Sequence, residues 1–450
     1  MPVVDRQRLA ELGRVLTTKA MRTAWKKTVR QGLRYQAIQD LHDYLDVHRR
    51  LDDIVARVQT DVLTGSYRPK EPDVVTVEKK LGIPRRVVIP APVDALVLQT
   101  ITDALEQDIR RKQPFPNAYY SRTHAPPGAE SFKGTFAYPW WSLWPKFQKQ
   151  ILQFAKSSAF TVTTDIANYF DAVALERLRK SISAQTAFQE PVMDFLFMML
   201  EAFVWRPDYI PFSGVGLPQI NFDAPRLLAH AFLFPADRLL MAETGRRYVR
   251  WMDDMDFGVD DPAEGRRILR DLDQLLASLG VRLNTGKTAI LDQTEASEYF
   301  WVDANIVLTV LSNVLKNGAG SPASSARVLA RATSEFAQFD ASKKVGHWEK
   351  IYKRFLSLFG LLKSGHLEPR IPALLRDHPG LRDSILRYYG ELGFSQARFD
   401  EVHSFMTSGY CCDDASWFAC CQLISEWAVP SSKDVQKIRR YVLVSNDIGK

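Results

Sequence analysis

Tyr248-Val249-Arg250-Trp251-Met252-Asp253-Asp254-Met255-Asp256-Phe257-Gly258-Val259 sets two adjacent acids between short runs of large apolar residues. The flanking Tyr248, Val249, Trp251, Phe257 and Val259 favour strands, because β-branched and aromatic side chains pack well on a pleated, half-buried surface. A strand entering and a strand leaving Asp253-Asp254 makes a hairpin with two carboxylates at its tip, a placement that suits divalent metal. Alone the signal is weak. The same dipeptide recurs at Asp52-Asp53, Asp260-Asp261 and Asp413-Asp414, and acids in turns are ordinarily solvated.

Upstream, Phe160 to Asp171 reads as a strand ending at Asp165 and turning into a helix. Helices over about 174–205, a glycine-rich turn, Gly216-Leu217-Pro218-Gln219 and a long helix over about 224–243 lead to the hairpin. Downstream, a helix from Pro262 to Leu279 stops at Gly280, a plausible C-cap. Val281 to Leu291 is predicted as a strand carrying Lys287. This order predicts one antiparallel sheet with helices on one face, an α+β arrangement in which Asp165 and Asp253-Asp254 meet at one end. Two-metal nucleotide addition needs carboxylates converging from different elements in this way.

The remaining chain frames that core. Residues from about 5 to 65 read as helices, and the basic stretch Lys19–Arg34, with Trp25 and Tyr35, is a solvated helix face or a backbone-binding surface for nucleic acid. Strands at 74–77 and 85–90 flank a turn at 82–84, and Pro92 and Asp94 open a helix whose dipole Asp94 complements. Residues 112–145 are irregular and aromatic, with a helix following from Pro145 to about Lys156. Residues 316–325 read as a linker. The division is therefore 1–70, a helical segment; 71–315, the α+β region; 316–325, the linker; and 326–450, all helical.

The 450 residues are 46% hydrophobic and 25% charged, ordinary for a globular protein of two or three domains, and the net charge of +7 favours a polyanionic partner. No apolar run is long enough for a membrane span and no signal-peptide core is visible, so the expectation is a cytoplasmic protein without a membrane partner. Cys411, Cys412, Cys420 and Cys421 lack zinc-site spacing and are expected as small apolar residues on a buried helix.

Taken in order, these segments resemble the motifs of reverse transcriptases. Asp165-Ile166-Ala167-Asn168-Tyr169-Phe170-Asp171 resembles the first carboxylate motif, Gly216–Gln219 the template-contacting motif, and Arg250–Asp254 the YxDD motif. Leu283-Asn284-Thr285-Gly286-Lys287-Thr288 resembles the lysine motif, and Arg85, Ile89-Pro90, Asp94 and Gln99 resemble the fingers pattern. The resemblance implies right-hand polymerase fingers and palm followed by an all-α domain. It implies Asp165, Ile166, Asp253 and Asp254 as the set around two Mg²⁺ ions, with Mn²⁺ an alternative. Arg85, or its neighbour Arg86, would hold the triphosphate of a dNTP, and Gln219 would lie near the template or incoming base. Lys287 would donate a proton to pyrophosphate or stabilise its charge. Phe170 falls where the family has a steric gate against the ribose 2′-hydroxyl; the bland alternative is a core aromatic.

Two departures stand out. Trp251 replaces the tyrosine of YxDD, keeping a ring but losing the hydroxyl. Ile220 replaces the glycine after Gln219, and the segment to Pro225 is one residue longer, which places a bulky side chain near the template or base pair. The Trp-rich stretch before Asp165 and the helical last third resemble the bacterial abortive-infection and defence-associated reverse transcriptases, whose C-terminal helices are HEAT-like. That resemblance implies antiphage DNA synthesis, untemplated and protein-primed in some members, by a homo-oligomer. Priming hydroxyls would come from Tyr119, Tyr120, Ser121, Tyr138 or a C-terminal tyrosine such as Tyr410. The alternatives are an RNA-templated reverse transcriptase with a noncoding RNA partner, an RNA polymerase, and a nucleic-acid-binding oligomeric scaffold with a vestigial palm.

Overall fold

The structure is a computed structural model that describes residues 3–121, 139–245, 247–317 and 321–427, with positions 433 and 436. The chain folds as two compact units, Met1–Val74 with Val87–Gln293, and Val75–Arg86 with Thr294–Lys450.

The first unit opens with α1 (Val3–Val15), α2 (Thr18–Ala24), α3 (Arg30–Leu33), α4 (Leu45–Arg49) and α5 (Leu51–Thr64), with a π-helical turn at Trp25–Val29. Met21, Trp25, Val29 and Leu33 recur every fourth residue and are all buried, so the basic stretch is an amphipathic run with its apolar side in the core. On its other side Arg30 pairs with Asp43 at 2.6 Å.

The chain then forms a two-stranded hairpin, β1 (Asp73–Lys80) and β2 (Ile83–Ile89), turning at Leu81-Gly82 with φ of 54° and 76°. Glycine suits the second of these left-handed positions because it has no Cβ. α6 (Pro92–Lys112) follows, and Asp94 through Thr102 are all buried in turn, so this helix runs through the core with no solvent face over its first half. Asp94 does more than face a helix dipole: its carboxylate accepts the Lys70 N–H at 2.9 Å and the Tyr67 hydroxyl.

β3 (Ala118–Tyr119), α7 (Pro139–Ser157), β4 (Phe160–Thr164), α8 (Tyr169–Ala172), α9 (Leu175–Ser183) and α10 (Glu190–Phe203) come next. The helix expected over 224–243 is two, α11 (Asp223–Phe232) and α12 (Phe234–Thr244), because Pro235 cannot donate into a continuous helix. β5 (Tyr248–Trp251), β6 (Asp254–Val259), α13 (Pro262–Ser278) and β7 (Ala289–Asp292) complete the unit. Asp261 caps α13 by accepting the Ala263 N–H at 3.0 Å.

The sheet order is β3-β5-β6-β4-β7, antiparallel except for β3, which runs parallel to β5. The sheet is covered on both faces, not one. A Cβ on Gly258 would strike Ser158 at the end of α7, while Gly265 of α13 lies against Val162, Val259 and Ile290 on the opposite face. Strand alternation turns Gly258 and Val259 to opposite sides, so each face needs its own cover.

The second unit holds the outer part of the β1–β2 hairpin and the helices α14 (Gln293–Phe300), α15 (Val302–Asn317), α16 (Pro322–Ala341), α17 (Trp348–Leu361), α18 (Ile371–Asp377), α19 (Arg382–Leu392), α20 (Gln396–Thr407) and α21 (Asp414–Glu426). The boundary between units falls after Gln293. The stretch expected as a linker, 316–325, joins α15 to α16 inside this unit: Lys316 and Asn317 end one helix, and Ser321 caps the next. Cys420 and Cys421 lie on α21, but Cys411 and Cys412 precede it and Cys412 is exposed; none is in a disulfide. Among the described residues no helix is long and apolar enough to cross a membrane.

Candidate active site

The end of the sheet where β4 stops is built by main-chain bonds between two segments far apart in sequence. The Asn284 N–H donates to Asp165 O at 2.7 Å, and the Ala167 N–H donates to Arg282 O at 2.9 Å. Ile166 thereby bridges antiparallel to Leu283 and is itself buried. The chain from Val281 is therefore not the long strand expected. It makes this single bridge, a 3₁₀ turn at Thr285–Lys287, and only then β7. The hydroxyls of Thr164 and Thr288 meet at 2.7 Å. The turn sends the Lys287 ammonium back to Asp165 Oδ2, with which it forms an ion pair.

The hairpin beside it pairs Trp251 with Asp254, so the turn residues are Met252 and Asp253, and Asp254 already belongs to β6. Met252 is left-handed, φ 56°. A fully buried arginine holds this turn. Arg250 donates to Met252 O at 2.8 Å and forks onto both oxygens of Asp237 at 2.7 and 2.6 Å. Both side chains are wholly enclosed, and the Tyr248 hydroxyl donates to the same Asp237 at 2.6 Å. From the side, the Met252 N–H donates to Tyr119 O at 2.9 Å. Arg250 and Asp237 were not among the expected site residues. The available signal was a charged residue in the middle of an apolar strand, which must find a buried partner.

Asp165 is 4% exposed. Its Oδ1 is buried and meets no donor, while Asp253 lies close enough to share a hydrogen bond with it. Burial, then the charges of Asp165 and Asp254, push the Asp253 carboxyl up to about 8. Crowded carboxylates behave this way because both cannot ionise cheaply in a poorly solvated site. Burial alone would lower the Lys287 ammonium, but its bond to Asp165 and the charges of all three acids raise it. Among the described residues no three His, Cys, Asp or Glu side chains are grouped closely enough to hold a metal as they stand. The pair Asp165–Asp253, with Asp254 in electrostatic reach, nevertheless fits a divalent cation by donor chemistry: hard oxygen ligands, one of them buried and without a donor.

Phe170 and Gln219 are brought to one wall. Leu217 N–H donates to Phe170 O and Gly216 N–H to Val173 O, both at 2.7 Å, and the Gln219 amide donates to Asp171 Oδ1 at 2.6 Å. Phe170 is half-buried, edge-on to the buried Tyr169. Ile220 does not project beside Gln219 as expected; it is 5% exposed and part of the core. The longer segment after it instead ties down the N-terminal helices, with the Asn221 side chain donating to Tyr35 O and its N–H to Gln36 Oε1 at 3.2 Å.

Trp251, in the tyrosine position, is enclosed by Trp144 at 5.0 Å and Phe147 at 5.7 Å from α7, and by Tyr119 at 6.2 Å. Arg85 and Arg86 are exposed on β2, in the second unit. Of the expected priming hydroxyls, Tyr119 and Tyr120 are buried, Ser121 is half-buried, Tyr410 is 54% exposed, and Tyr138 lies outside the described residues.

No family model matches the chain. No curated protein matches it. Among solved structures it is similar to apo telomerase from Candida Tropicalis, with 10% identity and a TM-score of 0.36, over 84% of this chain and 68% of that one.

Proposed function

We propose that this chain is a DNA polymerase of the reverse-transcriptase type, adding dNTPs with the help of divalent metal. The observation that carries the reading is the pairing of Asp165 with Asp253 beside Asp254, with Lys287 on the outer oxygen of Asp165. Asp165, Asp253 and Asp254 would hold Mg²⁺, which when bound supplies positive charge to a triphosphate and lowers the pKa of an attacking hydroxyl. Lys287, kept protonated by its acids, suits charge stabilisation better than proton donation. The main chain of Phe170 is bonded to the Gly216–Gln219 strip, and a large ring at that position would exclude a 2′-hydroxyl. Arg85 or Arg86 grips the triphosphate. Antiphage defence, a homo-oligomer and a protein primer belong to the same proposal; Trp251, which has no hydroxyl for a nucleic-acid primer, supports the protein primer alone. A templated reaction is a second reading, favoured by the burial of Ile220, which removes the bulk expected beside Gln219.

The test incubates purified protein with Mg²⁺ and labelled dNTPs or NTPs, with and without template, and asks whether product stays attached to protein until protease is added. The expected result is dNTP incorporation that falls by at least about a thousandfold in Asp253→Asn, since metal-held charge is worth several kcal/mol. Protein-free product made only with template selects the templated reading. No incorporation under any condition overturns the proposal.

A further inference from the structure

The β1 sequence Asp73-Val74-Val75-Thr76-Val77-Glu78 alternates, and alternation assigns Thr76 and Glu78 to one polar face. Such a face on an edge hairpin is ordinarily left to water. Here it is covered. Glu78 and Arg382, at the start of α19, pair at 2.7 Å with their side chains 6% and 4% exposed. Each guanidinium nitrogen of Arg382 has an acceptor: Nη1 also donates to Asp413 Oδ2 at 3.0 Å and Ser416 Oγ at 3.3 Å, Nη2 to Tyr410 O at 3.1 Å and Nε to Leu375 O at 2.7 Å. Two residues earlier, Thr76 and Asp414 bond reciprocally. Asp414 Oδ2 accepts the N–H and hydroxyl of Thr76, both at 2.8 Å, and the Asp414 N–H donates to Thr76 Oγ1 at 3.1 Å. Asp413 caps α21 through its other oxygen, accepting the Ser416 N–H at 2.9 Å, so the same acid fixes the helix and the arginine.

Glu78 Oε1 accepts the Gly82 N–H of the hairpin turn at 2.7 Å, while Oε2 takes Arg382. One carboxylate thus couples the turn to the helices. A buried guanidinium bonded at every nitrogen resists displacement, because removing one partner strands a charge. Arg85 and Arg86 stand on the strand just past that turn.

We propose that Arg382 is a positioning residue: by fixing Glu78, and together with the Thr76–Asp414 bonds, it makes the helical unit set the pose of the hairpin that carries Arg85 and Arg86. The claim rests on the reading of Arg85 or Arg86 as a triphosphate contact. Arg382 touches no reacting atom; it acts through Glu78. Linkage makes the effect reciprocal, so a bound dNTP also tightens the hairpin onto the helices.

Hydrogen exchange over residues 73–89 and steady-state dNTP incorporation are measured together for wild type, Arg382→Lys, Glu78→Gln, Thr76→Val and Thr76→Ser. Arg382→Lys is expected to speed exchange across the hairpin and raise the KM for dNTP about tenfold, with kcat within about twofold. Thr76→Val, which spares the buried charges should Arg382→Lys fail to fold, is expected to raise KM about threefold, and Thr76→Ser to restore it. In wild type, dNTP slows exchange over 73–89. Unchanged hairpin exchange in both Arg382→Lys and Thr76→Val overturns the clamp. Faster exchange with unchanged KM overturns the positioning claim alone. A wild type that incorporates no nucleotide overturns the polymerase reading, and the nucleotide claim with it, while the exchange rates still decide whether the clamp exists.

Discussion

Two hairpins in this chain are each held by a buried arginine, and the arginines hold from different places. In β5–β6 the arginine is part of the hairpin: Arg250 reaches forward to its own turn at Met252 O and back to Asp237 on α12, thirteen residues upstream. In β1–β2 the arginine belongs to a helix about 300 residues later, and it reaches the strand through Glu78. The first arrangement fixes a turn against its own sheet, as two carboxylates that must stay in register demand. The second leaves the tip exposed, with Leu81 at 84% and Ile83 at 65%, and anchors the strand below it. Asp253 and Asp254 stand on the hairpin anchored from within, Arg85 and Arg86 on the hairpin anchored by a helix.

The sharpest way to break this contrast is to remove the internal anchor. Arg250→Met or Asp237→Asn leaves its partner's charge buried without a counter-charge, which costs about 3–5 kcal/mol. Urea unfolding should show that loss, and the double variant Arg250→Met with Asp237→Met should recover much of it, because paired removal leaves no orphan charge. Equal losses in the single and double variants would mean that Arg250 matters through its bond to Met252 O, not through the ion pair.

The contrast also explains what the sequence made legible. The ends of β4 and β5 at Asp165 and Asp253-Asp254 were readable because a strand pattern breaks there beside a turn, and local pattern sets where strands end. Both anchors escaped because they join residues whose pairing is tertiary. Glu78 and Thr76 look like an ordinary solvated strand face. Arg250 looks like an interruption of one. β3 is two residues long inside an aromatic, proline-rich stretch, too short for periodicity to register. The strand expected around Lys287 was misjudged, since Asn284-Thr285-Gly286 turns where an extended run was expected. The glycine- and serine-rich 316–325 resembled a linker because composition cannot tell a boundary between units from a connection between two helices of one unit.

A smaller effect is expected beside the first hairpin. Lys287→Met should lower kcat about a hundredfold and also lower the thermal midpoint in chelator, because it leaves the buried Asp165 without its counter-charge although Lys287 is itself 63% exposed at its side chain; Mg²⁺ should restore the midpoint but not the rate. A stability loss without a catalytic one would reassign Lys287 to a structural role.

The two hairpins should answer pH with opposite signs. Asp253 is raised from 3.8 to about 8 by burial and its acidic neighbours, so the stability it contributes is full below pH 3.8 and lost as pH rises through about 8. Burial pushes Glu78 up, but the Gly82 N–H and Arg382 outweigh it and hold the carboxyl below 4.5, so its contribution is present above pH 4.5 and lost on acidification. Each unit of such a shift corresponds to about 1.4 kcal/mol in a fully buried group, and less for these partly solvated ones. Thermal midpoints in chelator should therefore fall toward alkaline pH in wild type but not in Asp253→Asn, and Mg²⁺ should restore wild type most at the alkaline end. Glu78→Gln should flatten the acid limb only. A single limb abolished by both variants would show that one group dominates and the opposition is not real.

The smallest effect tests the exposed tip. Gly82 has φ 76° and nothing within 4 Å of where a Cβ would stand, so Gly82→Ala meets backbone strain and no clash. The cost is about 1 kcal/mol. If the strand is held by Glu78 and Thr76 from the helical unit, that cost stays local. Exchange should quicken at the turn, residues 79–84, while Thr76 and Val88 keep their protection and the thermal midpoint moves by only about 2 °C. If protection is lost along the whole of β1 and β2, the tip is holding the hairpin together and the anchor at Arg382 is secondary to it. The turn and the anchor share Glu78, whose two oxygens divide between Gly82 and Arg382, so a loss confined to the turn requires Oε2 to keep Arg382 after Oε1 has let go.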